Sequence, residues 1–123
     1  MSKKQNIDFE QILKNVGFNI LFAFLTMLVV INFYQDILLE TVLLVIIAIF
    51  GLMKWKSKIT LAIFAVGGII GTFSEIIAVN YGVWNYMISN FINVPVWLFI
   101  LWGNASAFIY QTALEIKKLG IKK

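Results

Sequence analysis

The sequence predicts an all-α membrane protein: one domain over residues 1–123, made of four transmembrane helices with both termini cytoplasmic and a short interfacial helix at the N-terminus. Three observations predict it. The chain is 61% hydrophobic and only 13% charged, whereas soluble domains are about 45–50% apolar. Its charges stand at the ends of long apolar runs. All ten basic residues are lysines, in three clusters: Lys3, Lys4 and Lys14 before the first run, Lys54, Lys56 and Lys58 between the second and third, and Lys117, Lys118, Lys122 and Lys123 after the fourth. With four crossings every lysine falls on one side, which the positive-inside rule makes the cytoplasm of a cell-membrane protein.

The elements follow in order. Phe9, Ile12, Leu13 and Val16 repeat at helical spacing in a polar stretch behind Asp8, whose side chain suits an N-cap. This predicts an interfacial helix on the cytoplasmic face; a disordered tail is the alternative. The spans are expected at roughly 16–33, 37–53, 59–79 and 95–114, each near the 17–25 residues or so that cross a bilayer. The Tyr34-Gln35-Asp36 link makes the first two an antiparallel hairpin, and Lys54–Lys58 makes the return turn with Trp55 at headgroup level. Pro95 suits the first turn of the fourth helix, where its missing N–H leaves nothing unpaired. The first run is too long for a signal peptide, and no small-residue cleavage site follows it, so it reads as an uncleaved helix.

The composition excludes several classes of function. With no cysteine and no histidine, disulfides, thiol nucleophiles, imidazole bases and nearly all zinc, copper and haem sites fall away. No cofactor and no metal are expected. Without arginine to fork onto phosphate or guanine, the net charge of +4 reads as a topology signal and an attraction to anionic lipid rather than a nucleic-acid footprint.

The residues able to carry chemistry gather at the lysine-free end. Gly68, Gly71, Thr72 and Glu75 share one face of the third span, where small residues let a neighbouring backbone approach. A carboxylate on that stripe faces protein rather than lipid, because an unpaired charge in hydrocarbon is costly. Counting from Lys58, Glu75 lies ~25 Å along the helix, in the outer leaflet. Glu40 sits one turn into the second span from the same side, either sharing that depth or snorkelling to the interface. The connection carrying Trp84 and Tyr86 covers the region, and Trp97, Trp102 and Asn104 enter beneath it; Trp97, Asn104 and Gln111 are spaced by seven on one face. One reading gathers Glu75, Trp84, Tyr86, Trp97, Trp102 and Asn104 into an outer-leaflet pocket, with Asn104 as its floor. The other leaves the aromatics as an interfacial belt and Asn104 as a bond to a neighbouring helix.

Gly71-Thr72-Phe73-Ser74-Glu75, Gly82-x-Trp84-x-Tyr86, Val94-Pro95-x-Trp97 and Trp102-Gly103 together resemble a pattern in small polytopic membrane proteins of carotenoid metabolism, the carotenoid hydratases of the bisanhydrobacterioruberin type. The resemblance covers residues 71–103, about a quarter of the chain, and the chain is shorter than that family. It implies an isoprenoid or carotenoid ligand, with Glu75 matching the family's embedded acid. The chemistry is coherent: hydration or isomerisation starts by protonating an alkene, which a desolvated carboxylic acid can do, and aromatic faces stabilise the cation. Two other classes stand beside it. One is a small proton-coupled transporter, since four short helices and one intramembrane glutamate also resemble small multidrug-resistance exporters, although ten lysines on one side oppose their dual insertion. The other is an accessory or assembly subunit, in which Glu75 pairs with another chain of a homo-oligomer or larger membrane complex.

Overall fold

The computed structural model describes residues 8–120 as four α-helices and no extended strand: α1 Phe9–Phe33, α2 Ile37–Trp55, α3 Lys58–Asn80 and α4 Leu98–Lys117. Lys3, Lys4, Lys122 and Lys123 lie outside the described residues. Three side chains start three helices. Asp8, Asp36 and Ser57 each accept the amide of the residue three positions on, Gln11, Leu39 and Thr60, at 3.0–3.1 Å, satisfying amides that have no partner within the helix.

Two expectations need correction. The polar start and the first span are one continuous helix, not an interfacial helix followed by a crossing. Lys14 and Asn15 are polar without breaking a helix, and the buried stripe Ile12, Asn19, Phe22 and Thr26 runs through the expected junction at spacings of seven, three and four. Pro95 is not in the first turn of α4. It stands three residues before the helix, in a tight turn where Leu98 N donates to the Pro95 carbonyl (3.1 Å) and Phe99 N to the Val96 carbonyl (3.2 Å).

The helices alternate in direction, so Lys14, Lys54, Lys56, Lys58, Lys117 and Lys118 all stand at one end of the bundle. Among the described residues, α1, α2 and α3 are long and apolar enough to cross a membrane by length and composition. Their exposed Leu, Ile, Val and Phe side chains suit a lipid surround. α4 is more polar, and its polar residues face inward: Asn104, Gln111 and Glu115 are all buried. This follows from its position, since α4 packs against each of the other three helices.

The tightest packing is α3 on α4. An ideal Cβ at Gly68 would stand 2.6 Å from the Phe99 carbonyl oxygen, and one at Gly71 would overlap the Trp102 indole. Leu44, Ile76, Val94, Trp97 and Leu98 form the core beneath the lysine-free end. Above it, residues 81–97 fold rather than wander. Phe91 and Val94 exchange both backbone hydrogen bonds at 2.9 Å around Ile92 (φ 44°) and Asn93 (φ 69°), a two-residue turn with both central residues left-handed. Asn93 Nδ2 donates to Asn80 Oδ1 at 2.9 Å, tying this turn to the end of α3.

Candidate functional site

Three side chains, two from the α3–α4 connection and one from α4, converge on Glu75. The Trp102 indole N–H of α4 donates to Oε2 at 2.8 Å. Trp84 Nε1 donates to Oε1 at 3.3 Å, and the Tyr86 hydroxyl donates to the same oxygen. The local sequence explains the convergence: Glu75 lies one turn past Gly71, whose missing side chain leaves room for the Trp102 ring. Gly82, at φ +81°, turns the chain back over the helix end and carries Trp84 and Tyr86 above the carboxylate. Tyr86 in turn meets the Trp97 ring edge-on, with centroids 6.4 Å apart and planes at 89°. Burial first, and then its hydrogen bond to Glu75 and that residue's charge, push the Tyr86 phenol up from its ordinary value, so it remains a donor.

The structure thus brings Glu75, Trp84, Tyr86 and Trp102 together, with Trp97 behind Tyr86. Trp97 makes no hydrogen bond to Glu75; its indole nitrogen is buried without a partner. Two other residues make no hydrogen bond to this cluster. Asn104 is not the floor of this cluster. Residues two positions apart on a helix point about 200° apart, so with Trp102 turned to α3, Asn104 faces α1 and donates to Thr26 Oγ1 at 3.3 Å. There it lines an apolar cavity of about 180 Å³ between α1 and α4, with Ala23, Met27, Leu101 and Phe108; its Oδ1 has no partner. Glu40 does not snorkel to the interface. It is fully buried, and neither carboxylate oxygen has a hydrogen-bond partner.

A second polar group lies at the lysine-bearing end. Trp55 Nε1 donates to Asn19 Oδ1 (3.0 Å), Asn19 Nδ2 to Thr112 Oγ1 (3.2 Å) and Gln111 Nε2 to Thr60 Oγ1 (2.7 Å), so all four helices are joined there. Beside them Glu115 is 4% exposed, with Oε2 paired to Lys118 Nζ at 2.9 Å and Oε1 without a partner. Sequence reasoning ended the fourth span at residue 114 and passed over this residue. The signal was available: Gln111 and Glu115 are one turn apart and extend the Trp97–Asn104–Gln111 stripe. Among the described residues no group of His, Cys, Asp and Glu side chains could hold a metal ion.

No protein-family model matches the chain, nor does any curated protein or solved structure.

Proposed function

We propose that this is a four-span protein of the cell membrane, with both termini cytoplasmic, that binds an isoprenoid- or carotenoid-like lipid at its outer-leaflet end. The observation that carries the reading is the convergence of Trp84, Tyr86 and Trp102 on Glu75. An intramembrane carboxylate is a functional-site hypothesis by default. Here it is held by the polar edges of three aromatic side chains, whose rings suit a long conjugated or branched hydrocarbon. The apolar cavity beside Asn104 gives such a chain a second place to lodge.

The same arrangement favours binding over catalysis. Protonating an alkene requires a carboxylic hydrogen to give, whereas all three neighbours of Glu75 donate to it. A second reading, proton-coupled transport, draws on Glu40, a buried carboxyl with no donor around it of the kind that gains and loses a proton in membrane exchangers.

Extraction in mild detergent followed by mass spectrometry of the co-purifying lipids tests the proposal. An isoprenoid enriched with the wild type and lost from Glu75→Gln and Trp102→Phe is the expected result. Recovery of ordinary phospholipid only, in all three, would overturn it. A stoichiometric protein partner lost from Glu75→Gln would point instead to a subunit of a larger complex.

A further inference from the structure

We propose that the cavity between Lys54 and Glu115, at the end of the bundle opposite Glu75, is a binding site for a phosphoethanolamine group, a primary ammonium joined to a phosphate. The cavity holds about 160 Å³ and lies among α1, α2 and α4, with a largely polar wall that includes Asn15, Asn19, Lys54, Gln111 and Glu115. Its two charged residues are incompletely used by the protein. Glu115 is 4% exposed and binds Lys118 through Oε2, but Oε1 receives no hydrogen bond. A buried carboxylate oxygen without a donor is costly, and an entering ammonium would supply one. Lys54 has no ion pair among the described residues. Its ammonium stands 5.3 Å from the centroid of the Phe18 ring, which holds it at the cavity while leaving its N–H groups for an anion.

The remaining walls fix the class of ligand further. Both ends of the Asn19 amide and the Nε2 of Gln111 are already committed to Thr112, Trp55 and Thr60, so the charged recognition left over is one carboxylate oxygen and one cation. A ligand with a single charge satisfies only one of them; a zwitterion carrying N–H and phosphate satisfies both. Glu115 also borders a wider cavity of about 520 Å³ that includes Lys117 and Lys118, so the approach to the site is basic and favours the phosphate end. Both cavities lie where the membrane-spanning helices end, at the level of lipid headgroups. The chemistry is shared by a lipid headgroup and by the free zwitterion, and the experiment separates them.

Delipidated protein in detergent would be offered an equimolar mixture of phosphatidylethanolamine, phosphatidylcholine and phosphatidylglycerol, and the retained lipid read by native mass spectrometry. Choline has no N–H to give and glycerol has no ammonium. Phosphatidylethanolamine should be retained about tenfold over phosphatidylcholine, as expected for one charge-assisted hydrogen bond. Glu115→Gln should bring the two to parity, and Lys54→Gln should lower retention of all three lipids without changing their ratio. Free phosphoethanolamine added in excess should displace the lipid; if it binds while no lipid is selected, the site is confirmed and its occupant is soluble. First place for phosphatidylglycerol, an unchanged ratio in a folded Glu115→Gln protein that selects the ethanolamine lipid as wild type does, or equal retention of the ethanolamine and choline lipids with no binding of free phosphoethanolamine would each overturn the proposal. Lys54 is exposed, so its variant remains informative if Glu115→Gln does not fold.

Discussion

Trp102 rests its indole on Gly71, and that close approach carries the indole N–H to Glu75 one turn further along α3. The helix contact and the carboxylate cluster are therefore one feature, and a change at Gly71 should be felt at both.

Gly71→Ala places a methyl group where the Trp102 ring lies. Overpacking of this kind typically costs about 1–3 kcal/mol, so a clear loss of thermal stability in detergent is expected, together with a shift in tryptophan fluorescence as the bond to Glu75 is broken. Leu61→Ala, at a lipid-facing position, should stay within about 0.5 kcal/mol of wild type. Equal melting of all three proteins would mean that the α3 stripe faces lipid.

Glu40 is fully buried with both oxygens unpartnered. Replacing a buried group that makes no hydrogen bond by an apolar one of similar shape is close to neutral or stabilising. Glu40→Met should therefore melt at or above the wild-type temperature, while Glu40→Lys, which adds a longer cation to the same site, should fail to accumulate. A Glu40→Met protein destabilised by about 2 kcal/mol or more, the cost of losing a satisfied buried polar group, would reveal a partner for Glu40.

Ile92 holds φ at 44°, a left-handed backbone in which a β-branched side chain is strained. It is half-exposed, so little packing is lost with its side chain. Ile92→Asn should stabilise the protein by about 0.5–1 kcal/mol, since asparagine tolerates this conformation, and leave lipid binding unchanged. A drop in the melting temperature would show that the side chain is anchored in the membrane surface.

The alternation of helices puts Ser57 and Ser89 at opposite ends of the bundle. Single cysteines at the two positions should be labelled by an impermeant maleimide from opposite faces of the membrane, Ser57→Cys from the cytoplasmic one. Labelling of both from the same face would overturn the four-span arrangement.

Much of this fold is legible in the sequence because two strong signals coincide: apolar runs of membrane length and lysines confined to their ends. Glu75, Trp84, Tyr86 and Trp102 are legible as a group because a carboxylate on a glycine stripe must face protein, and the aromatics arrive from the connection above it and the helix beside it. What escapes the sequence is angular and cooperative. Nothing in Lys14 and Asn15 says whether the helix bends into the interface or runs straight through. Order along the fourth span makes Asn104 the floor of the pocket, but it is the rotation about the α4 axis that sends it to Thr26. Glu115 was missed because a charge at the end of an apolar run reads as solvated, and only packing by neighbouring helices buries it.

The dependence of α1 and α3 on α4 bears on biogenesis. Asn19, Thr26 and Thr60 each find their side-chain partner on α4, in Thr112, Asn104 and Gln111, and α4 is the last of the four to leave the ribosome. The first three helices are apolar enough to enter lipid unaided, carrying those amide and hydroxyl groups with them. In the four-span arrangement proposed above, the fourth enters against a template already lined with its partners, and a membrane has no other solvent to offer its asparagine and glutamine. Insertion of the final helix and closure of the bundle are then a single event, so a chain stalled before α4 would be inserted but unlocked, a ready substrate for membrane quality control.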